Sequence, residues 1–212
     1  MRELEVPLRS GLGLLGLSLS DEQVQMLLDY LALLAKWGRV YNLTARLELT
    51  EMLTHHLLDS LAVVMPLRRQ RPSAPLRVLD VGAGAGLPGV VLAICCPGWQ
   101  IDCVDAVAKK AAFVQQVAVS LRLPNLRGRH ARVEQLTDRY SLVTSRAFAS
   151  LADFTQWSAQ ALAEGGVWAA MKGKHPADEI AQLAPPVHVF HVEPLAVPGL
   201  NAERCLVWLK LQ

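Results

Sequence analysis

Long apolar runs are missing from this sequence, and so is a surplus of charge of either sign. No segment approaches the roughly 20 apolar residues that a membrane-spanning helix needs. The nearest candidate for a secretory core is GLGLLGLSL at residues 11–19. Glu3 and Glu5 in its flank, three interrupting glycines and the lack of a small-residue cleavage site argue against that reading. Cysteine is scarce: Cys95, Cys96, Cys103 and Cys205 match no zinc spacing, so no metal site is expected. Adjacent Cys95 and Cys96 fall in an apolar stretch and read as small core residues, and a reducing cytoplasm is the expected location. A net charge of +2 does not announce a nucleic-acid partner.

What is present suits one α/β domain with a modest extension. The chain has 212 residues, of which 52% are hydrophobic and 19% charged, a balance that builds a core rather than a disordered chain. Arg far outnumbers Lys and clusters at Arg68, Arg69 and Arg71 and again at Arg122, Arg127, Arg129 and Arg132. Such forks suit phosphate; ordinary solvated surface is the competing reading.

Hydrophobic periodicity divides the chain into a helical first third and an alternating remainder. Ser20 and Gln23 form a capping-box start, followed by Val24, Leu27, Leu28, Leu31 and Leu34 at helical spacing, with an end expected near Gly38. Thr50 is placed to cap a second helix ending before Pro66, and Arg69 to Pro75 reads as a linker. From Leu76 the rhythm becomes strand, helix, strand. LRVLDV, IDCVDA, LRGRHARVE, SLVTSRA and VWAAMKG read as five strands, with helices over 88–96, 109–121 and 152–163 between them and a further one over 176–183 after the fifth. Gly165–Gly166 is expected to stop the third of these helices. VHVFHVEPLAVP and ERCLVWLKL follow as two consecutive strands turning around Gly199–Asn201. Alternation predicts a parallel sheet covered on both faces, and the final pair predicts an antiparallel hairpin. Residues 1–68 are expected as a helical extension packed on a 69–212 core, forming a single compact domain overall.

The strongest local signal is LDVGAGAGLPG. Gly82, Gly84 and Gly86 permit a tight turn and close backbone approach to a ligand, at the sheet edge where such folds bind ligands. Asp105 ends the next strand, where a carboxylate can accept hydrogen bonds from a ribose diol. Gly84, Gly86 and Gly89 also satisfy the weak dinucleotide pattern G-x-G-x-x-G, so a nicotinamide-dependent oxidoreductase is the alternative. Two details favour S-adenosylmethionine. Asp80 at the strand tip repels a pyrophosphate but not a sulfonium or ammonium group. Pro88 removes a backbone N–H where a pyrophosphate wants donors. The expected fold is therefore a Rossmann-like class I methyltransferase with a mostly parallel seven-stranded sheet.

KWGRVYNLT (Lys36–Thr44), HHLLDSL (His55–Leu61), DVGAGAGLPG (Asp80–Gly89), RVE (Arg132–Glu134), SRAFASL (Ser145–Leu151) and MKG (Met171–Gly173) occur in this order. Together they resemble the bacterial small-subunit ribosomal RNA guanine-N7 methyltransferase G family, formerly glucose-inhibited division protein B. The resemblance runs from about Asp21 to the C-terminus. It implies methyl transfer from S-adenosylmethionine to N7 of guanine 527 in 16S rRNA, in the decoding region. It carries cofactor contacts to Gly82, Leu87, Val133, Glu134 and Arg146, with Asp80 and Asp105 at the matching strand ends. Gly38 stands where the family usually has Asn, and Ala106 where Ser is common. Ala85 falls at a variable position.

Guanine N7 carries a lone pair and no proton, so the implied displacement needs alignment and a dry site rather than a general base. No catalytic residue is therefore certain; Arg146 and Lys172, both at strand tips on the active edge, are the candidates. Possible RNA contacts are Asn42 and Thr44 (or local turn capping), His56, Lys109, Lys110, Lys172 and Lys174, with His175 extending the same basic tip. His56 and Asp59 share a helix face and equally suit a structural hydrogen-bonded pair. Phe154 and Trp157 read as core, and Trp37 and Tyr41 as anchors of the first helix. The expected partner is 16S rRNA or the small ribosomal subunit, the expected state a monomer.

Overall fold

The computed structural model describes residues 2–41, 48–70 and 75–212. Its frame is one seven-stranded sheet in the order β3-β2-β1-β4-β5-β7-β6. Its strands are β1 Leu76–Val81, β2 Trp99–Asp105, β3 Leu126–His130, β4 Tyr140–Arg146, β5 Leu162–Lys172, β6 Val187–Pro194 and β7 Cys205–Leu211. The first five run parallel. β7 slots between β5 and β6, antiparallel to both. Every residue of β1 except Arg77 is buried, as expected for a central strand covered on both faces. Strand order reverses beside β1, which puts the crevice of this Rossmann-like sheet at the carboxyl ends of β1 and β4.

Helices cover both faces. On one lie α1 Arg2–Leu14, α2 Asp21–Tyr41, α6 Gly89–Cys95 and α7 Ala108–Ser120, sharing a single apolar cluster with β1 and β2. On the other, α8 Leu151–Ser158 and α9 Ala177–Ala181 pack with β4, β5 and β7. No described helix is long and apolar enough to cross a membrane.

The Ser20 capping box forms as read: Ser20 N–H donates to Gln23 Oε1 at 3.0 Å, and Gln23 N–H to Ser20 Oγ at 3.2 Å. Several boundaries need correction. α1 was not foreseen, although Leu4, Leu8 and Leu12 recur every four residues and all are buried. α2 continues through Gly38 to Tyr41; a helical glycine costs only about 1 kcal/mol. The next helix is capped by Glu48 and Glu51 rather than Thr50. It runs as α3 Leu49–Met52, a π-helical segment Leu53–Leu58 and α4 Asp59–Leu61. That helix ends at Leu61, before Pro66 as read, but a further helix follows, α5 Val64–Gln70, which takes in the start of the expected linker and holds Pro66 in its first turn, where a missing N–H is no loss. β3 stops at His130, and Val133–Gln135 forms a 3₁₀ turn instead of continuing the strand. Gly165–Gly166 lies inside β5: Tyr140 pairs with Leu162 and Leu142 with Val167, so residues 163–166 form a bulge.

Candidate functional site

β1 delivers the chain into a turn whose glycines all have left-handed backbone, with φ of +64° at Gly82, +58° at Gly84 and +89° at Gly86. The turn is fastened from three sides. Gly82 N–H donates to Val104 O at 3.0 Å. Asp105 accepts the Gly84 N–H on Oδ2 at 3.0 Å and the Val107 N–H on Oδ1 at 2.8 Å. From α2, the fully buried Tyr30 donates its hydroxyl to Ala85 O at 2.8 Å. Sequence reading missed Tyr30 because it looks like one more apolar position of the helix.

Asp80 is fully buried beneath this turn. Its Oδ2 accepts the Gly89 N–H at 2.8 Å, while Oδ1 has no partner among the described residues. Burial pushes its carboxyl up to about 7. Gly89 is required here, since a Cβ would lie 2.2 Å from Cys103 Sγ.

Two cavities open along the carboxyl edge. The first, of about 320 Å³, is lined by Gly82, Asp105, Ala106, Lys110, Arg132, Val133, Glu134, Phe148 and Trp157, among others. The second, of about 560 Å³, is lined by His55, His56, Asp59, Arg146, Ala147, Met171, Lys172, Gly173 and Arg204. Ala147 lines both, so the loop after β4 is their common wall.

The first cavity fits an adenosylmethionine-like ligand. Asp105 and Glu134 supply acceptors for a diol, and the Asp105 oxygens retain lone pairs beyond their backbone bonds. Lys110, 3.8 Å from Asp105, and Arg132 add positive charge for a carboxylate. Of the expected cofactor contacts, Gly82, Asp105, Val133 and Glu134 line this cavity. Gly84 and Gly86 shape the turn above it. Leu87 and Asp80 are buried below.

Arg146 faces the second cavity. Its Nη1 donates to Asp59 Oδ2 at 3.0 Å and to His55 O at 3.1 Å, while Arg204 Nε donates to Asp59 Oδ1 at 2.8 Å. The expected His56–Asp59 pair does not form. Asp59 is taken by the two arginines, although His56 lines the same cavity. Both ring nitrogens of His56 are buried without a hydrogen-bond partner among the described residues. Burial, and then the charge of Arg146, hold its pKa below the usual value, so the ring is neutral.

Lys172 reaches this edge but is engaged. Its Nζ donates to Ala149 O at 3.1 Å and to Glu179 Oε2 at 2.7 Å. Lys109 and Lys174 are exposed. Asn42 and Thr44 lie outside the described residues. Phe154 is buried, whereas Trp157 is 38% exposed and lines the first cavity. Trp37 packs on Phe113 at 5.2 Å between ring centroids, anchoring α2 to α7.

Three of the seven clustered arginines are committed to the fold. Arg68 bonds Cys95 O, Arg69 bonds Glu193, and Arg129 bonds Asp102, Asp138 and Tyr140. Among the described residues, no group of three or more His, Cys, Asp or Glu side chains is placed to hold a metal ion.

Comparison with known proteins gives a consistent result. The family model of rRNA small subunit methyltransferase G matches residues 23–207. A ribosomal RNA small subunit methyltransferase G of Albidiferax ferrireducens is 61% identical over 220 residues, covering 99% of this chain and 98% of its own. One from Polaromonas sp. strain JS666 is 62% identical over 216 residues, covering 99% and 95%. Among solved structures, coclaurine N-methyltransferase bound to N-methylheliamine and SAH superposes with a TM-score of 0.60 at 8% identity, over 98% of this chain and 94% of that one. TrmN from Thermus thermophilus gives 0.56 at 18% identity over 72% and 49%. These two likenesses establish the fold.

Proposed function

The chain belongs to the rRNA small subunit methyltransferase G family, and we propose that it transfers a methyl group from S-adenosylmethionine to N7 of a guanine in 16S rRNA. The observation that carries this reading is the pair of adjoining cavities with Ala147 in their common wall. One suits a nucleoside with a diol and an amino-acid arm. The other is large enough for an extruded base and is edged by Arg146, Arg204 and Lys172. A base must leave its stack to reach such a pocket.

When bound, adenosylmethionine supplies an electrophilic methyl on a sulfonium. The protein's own residues hold and align. Asp105 and Glu134 bind the nucleoside, the Gly82 turn admits the amino-acid arm, and Arg146 fixes the acceptor side. His56, held neutral by burial, edges the acceptor cavity beside Arg146. No side chain needs to take a proton, because N7 bears none. A nicotinamide-dependent oxidoreductase gains no support, since the relatives above are rRNA methyltransferases.

The helical extension, 1–68, and the core, 69–212, act as one folding unit, and the protein works as a cytoplasmic monomer on rRNA or the small subunit. The test is methyl labelling of small subunits from cells lacking this protein, followed by borohydride–aniline cleavage. The expected result is label in 16S rRNA and cleavage at one guanine. Label in protein or small molecules with none in rRNA overturns the substrate assignment.

A further inference from the structure

We propose that Glu179, which lines neither cavity, is a positioning residue for methyl transfer: acting through Lys172, it fixes the Ala147–Phe148–Ala149 segment, and so sets both the Ala147 wall shared by the two cavities and where Phe148 stands against Gly82 in the first. The inference rests on the methyltransferase reading of the two cavities.

Phe148 sits directly on the first glycine of the turn. A Cβ added at Gly82 would meet Phe148 Cδ2 at 2.2 Å. The ring is steadied edge-on by Trp157, at 5.8 Å between centroids and 76°, and by Phe154, at 6.4 Å and 80°. Its backbone is unusual on both sides, with φ of 53° at Ala147 and 35° at Ala149. Alanine rarely adopts that region, and two such residues flanking one aromatic persist only where the surroundings hold them.

The holding contacts are specific. Lys172 Nζ donates to Ala149 O at 3.1 Å and pairs with Glu179 at 3.0 and 2.7 Å. Glu179 Oε2 also accepts the Leu151 N–H at 2.7 Å, the start of α8. Glu179 thus binds the loop's far end and the lysine that grips its middle. Without that carboxylate, Lys172 loses its anchor and Leu151 its acceptor. The two alanines then relax toward ordinary backbone, and Phe148 leaves Gly82. Transfer by in-line displacement is sensitive to such shifts, since a misplacement of about 1 Å can cost about a hundredfold in rate.

The test compares wild type, Glu179→Ala and Glu179→Gln as full chains. Three quantities are measured: adenosylhomocysteine affinity by calorimetry, tryptophan fluorescence without ligand, and single-turnover methylation of unmethylated small subunits at saturating cofactor. Glu179→Ala is expected to slow single turnover at saturating cofactor by about ten- to a hundredfold, with a smaller loss of cofactor affinity because Phe148 also lines the cofactor cavity. Its fluorescence should shift as Phe148 leaves Trp157, and a Trp157→Phe background should abolish that shift. Combining Glu179→Ala with Phe148→Leu should add little to either alone. If Glu179→Ala melts below the assay temperature, Glu179→Gln takes its place, with a smaller change of the same kind. A rate within twofold of wild type, unchanged fluorescence, or full additivity with Phe148→Leu overturns the proposal. Should the wild type itself methylate no rRNA, the parent reading fails; the fluorescence comparison still decides whether Glu179 holds the loop.

Discussion

The carboxylate of Asp59 and the guanidinium of Arg146 meet at 3.0 Å, joining the helical extension to the tip of β4. Arg204 approaches the other oxygen of Asp59 at 2.8 Å, so one buried acid orders two arginines that lie far apart in the sequence but on the same edge of the sheet. Asp59→Ala should leave both cations unpaired. Breaking a buried pair costs about 3–5 kcal/mol. Here the arginine side chains are 20% and 24% exposed, and solvent screening brings the expectation to about 2 kcal/mol. Urea unfolding checks the loss, and the transfer rate should fall with it because Arg146 is released.

Gly82→Ala should abolish cofactor binding, because the added carbon collides with Phe148 on a backbone of φ +64°. Gly165→Ala is the matched control. Gly165 has nearly the same φ, +65°, but its Cβ would point into open space. It should cost about 1–2 kcal/mol of stability and leave adenosylhomocysteine binding intact. Calorimetric titration of both variants distinguishes a filled site from backbone strain.

Asp80 predicts a pH dependence of stability. Its carboxyl titrates near 7 in the fold against an ordinary value of 3.8. Between those values the unfolded chain releases the proton and the native state keeps it. Stability contributed by Asp80 is therefore full below about pH 4, declines as pH rises to about 7, and is flat beyond. Asp80→Asn removes that slope. The difference in unfolding free energy, variant minus wild type, should move in the variant's favour by about 2–3 kcal/mol between pH 5 and pH 8. A difference independent of pH would contradict the raised value.

Arg129 lies in the arginine cluster where phosphate contact was one reading. In the fold its Nη1 donates to Asp138 at 2.6 Å, Tyr140 at 2.8 Å and Asp102 at 3.1 Å. Arg129→Ala should cost about 1–3 kcal/mol by leaving the buried Asp102 without its cation and should leave RNA affinity unchanged. Thermal melts and filter binding test the two halves separately.

The sheet and the glycine turn were legible because their signals are local. β1 is a short apolar run, the turn needs glycines at positive φ, and Asp105 follows at the next strand end. The second cavity was not legible, because its parts lie far apart in the chain: Asp59, Arg146 and Arg204 come together only through the fold. Phe148 read as part of a motif, and nothing in its neighbours' side chains marks the left-handed backbone at Ala147 and Ala149. Gly165–Gly166 misled because glycines usually punctuate structure, whereas a bulge inside a strand tolerates them. The helix that carries Pro66 was missed because proline reads as a stop, yet a helix's first turn tolerates it.

The claim on which the rest depends is that the cavity bounded by Gly82, Asp105 and Glu134 holds adenosylmethionine. Calorimetric titration of the purified chain with adenosylhomocysteine tests it most directly, beside Asp105→Ala. One saturable site in the wild type, weakened at least tenfold by Asp105→Ala, is the predicted result. No heat with the wild type, or equal affinity in the variant, would contradict it.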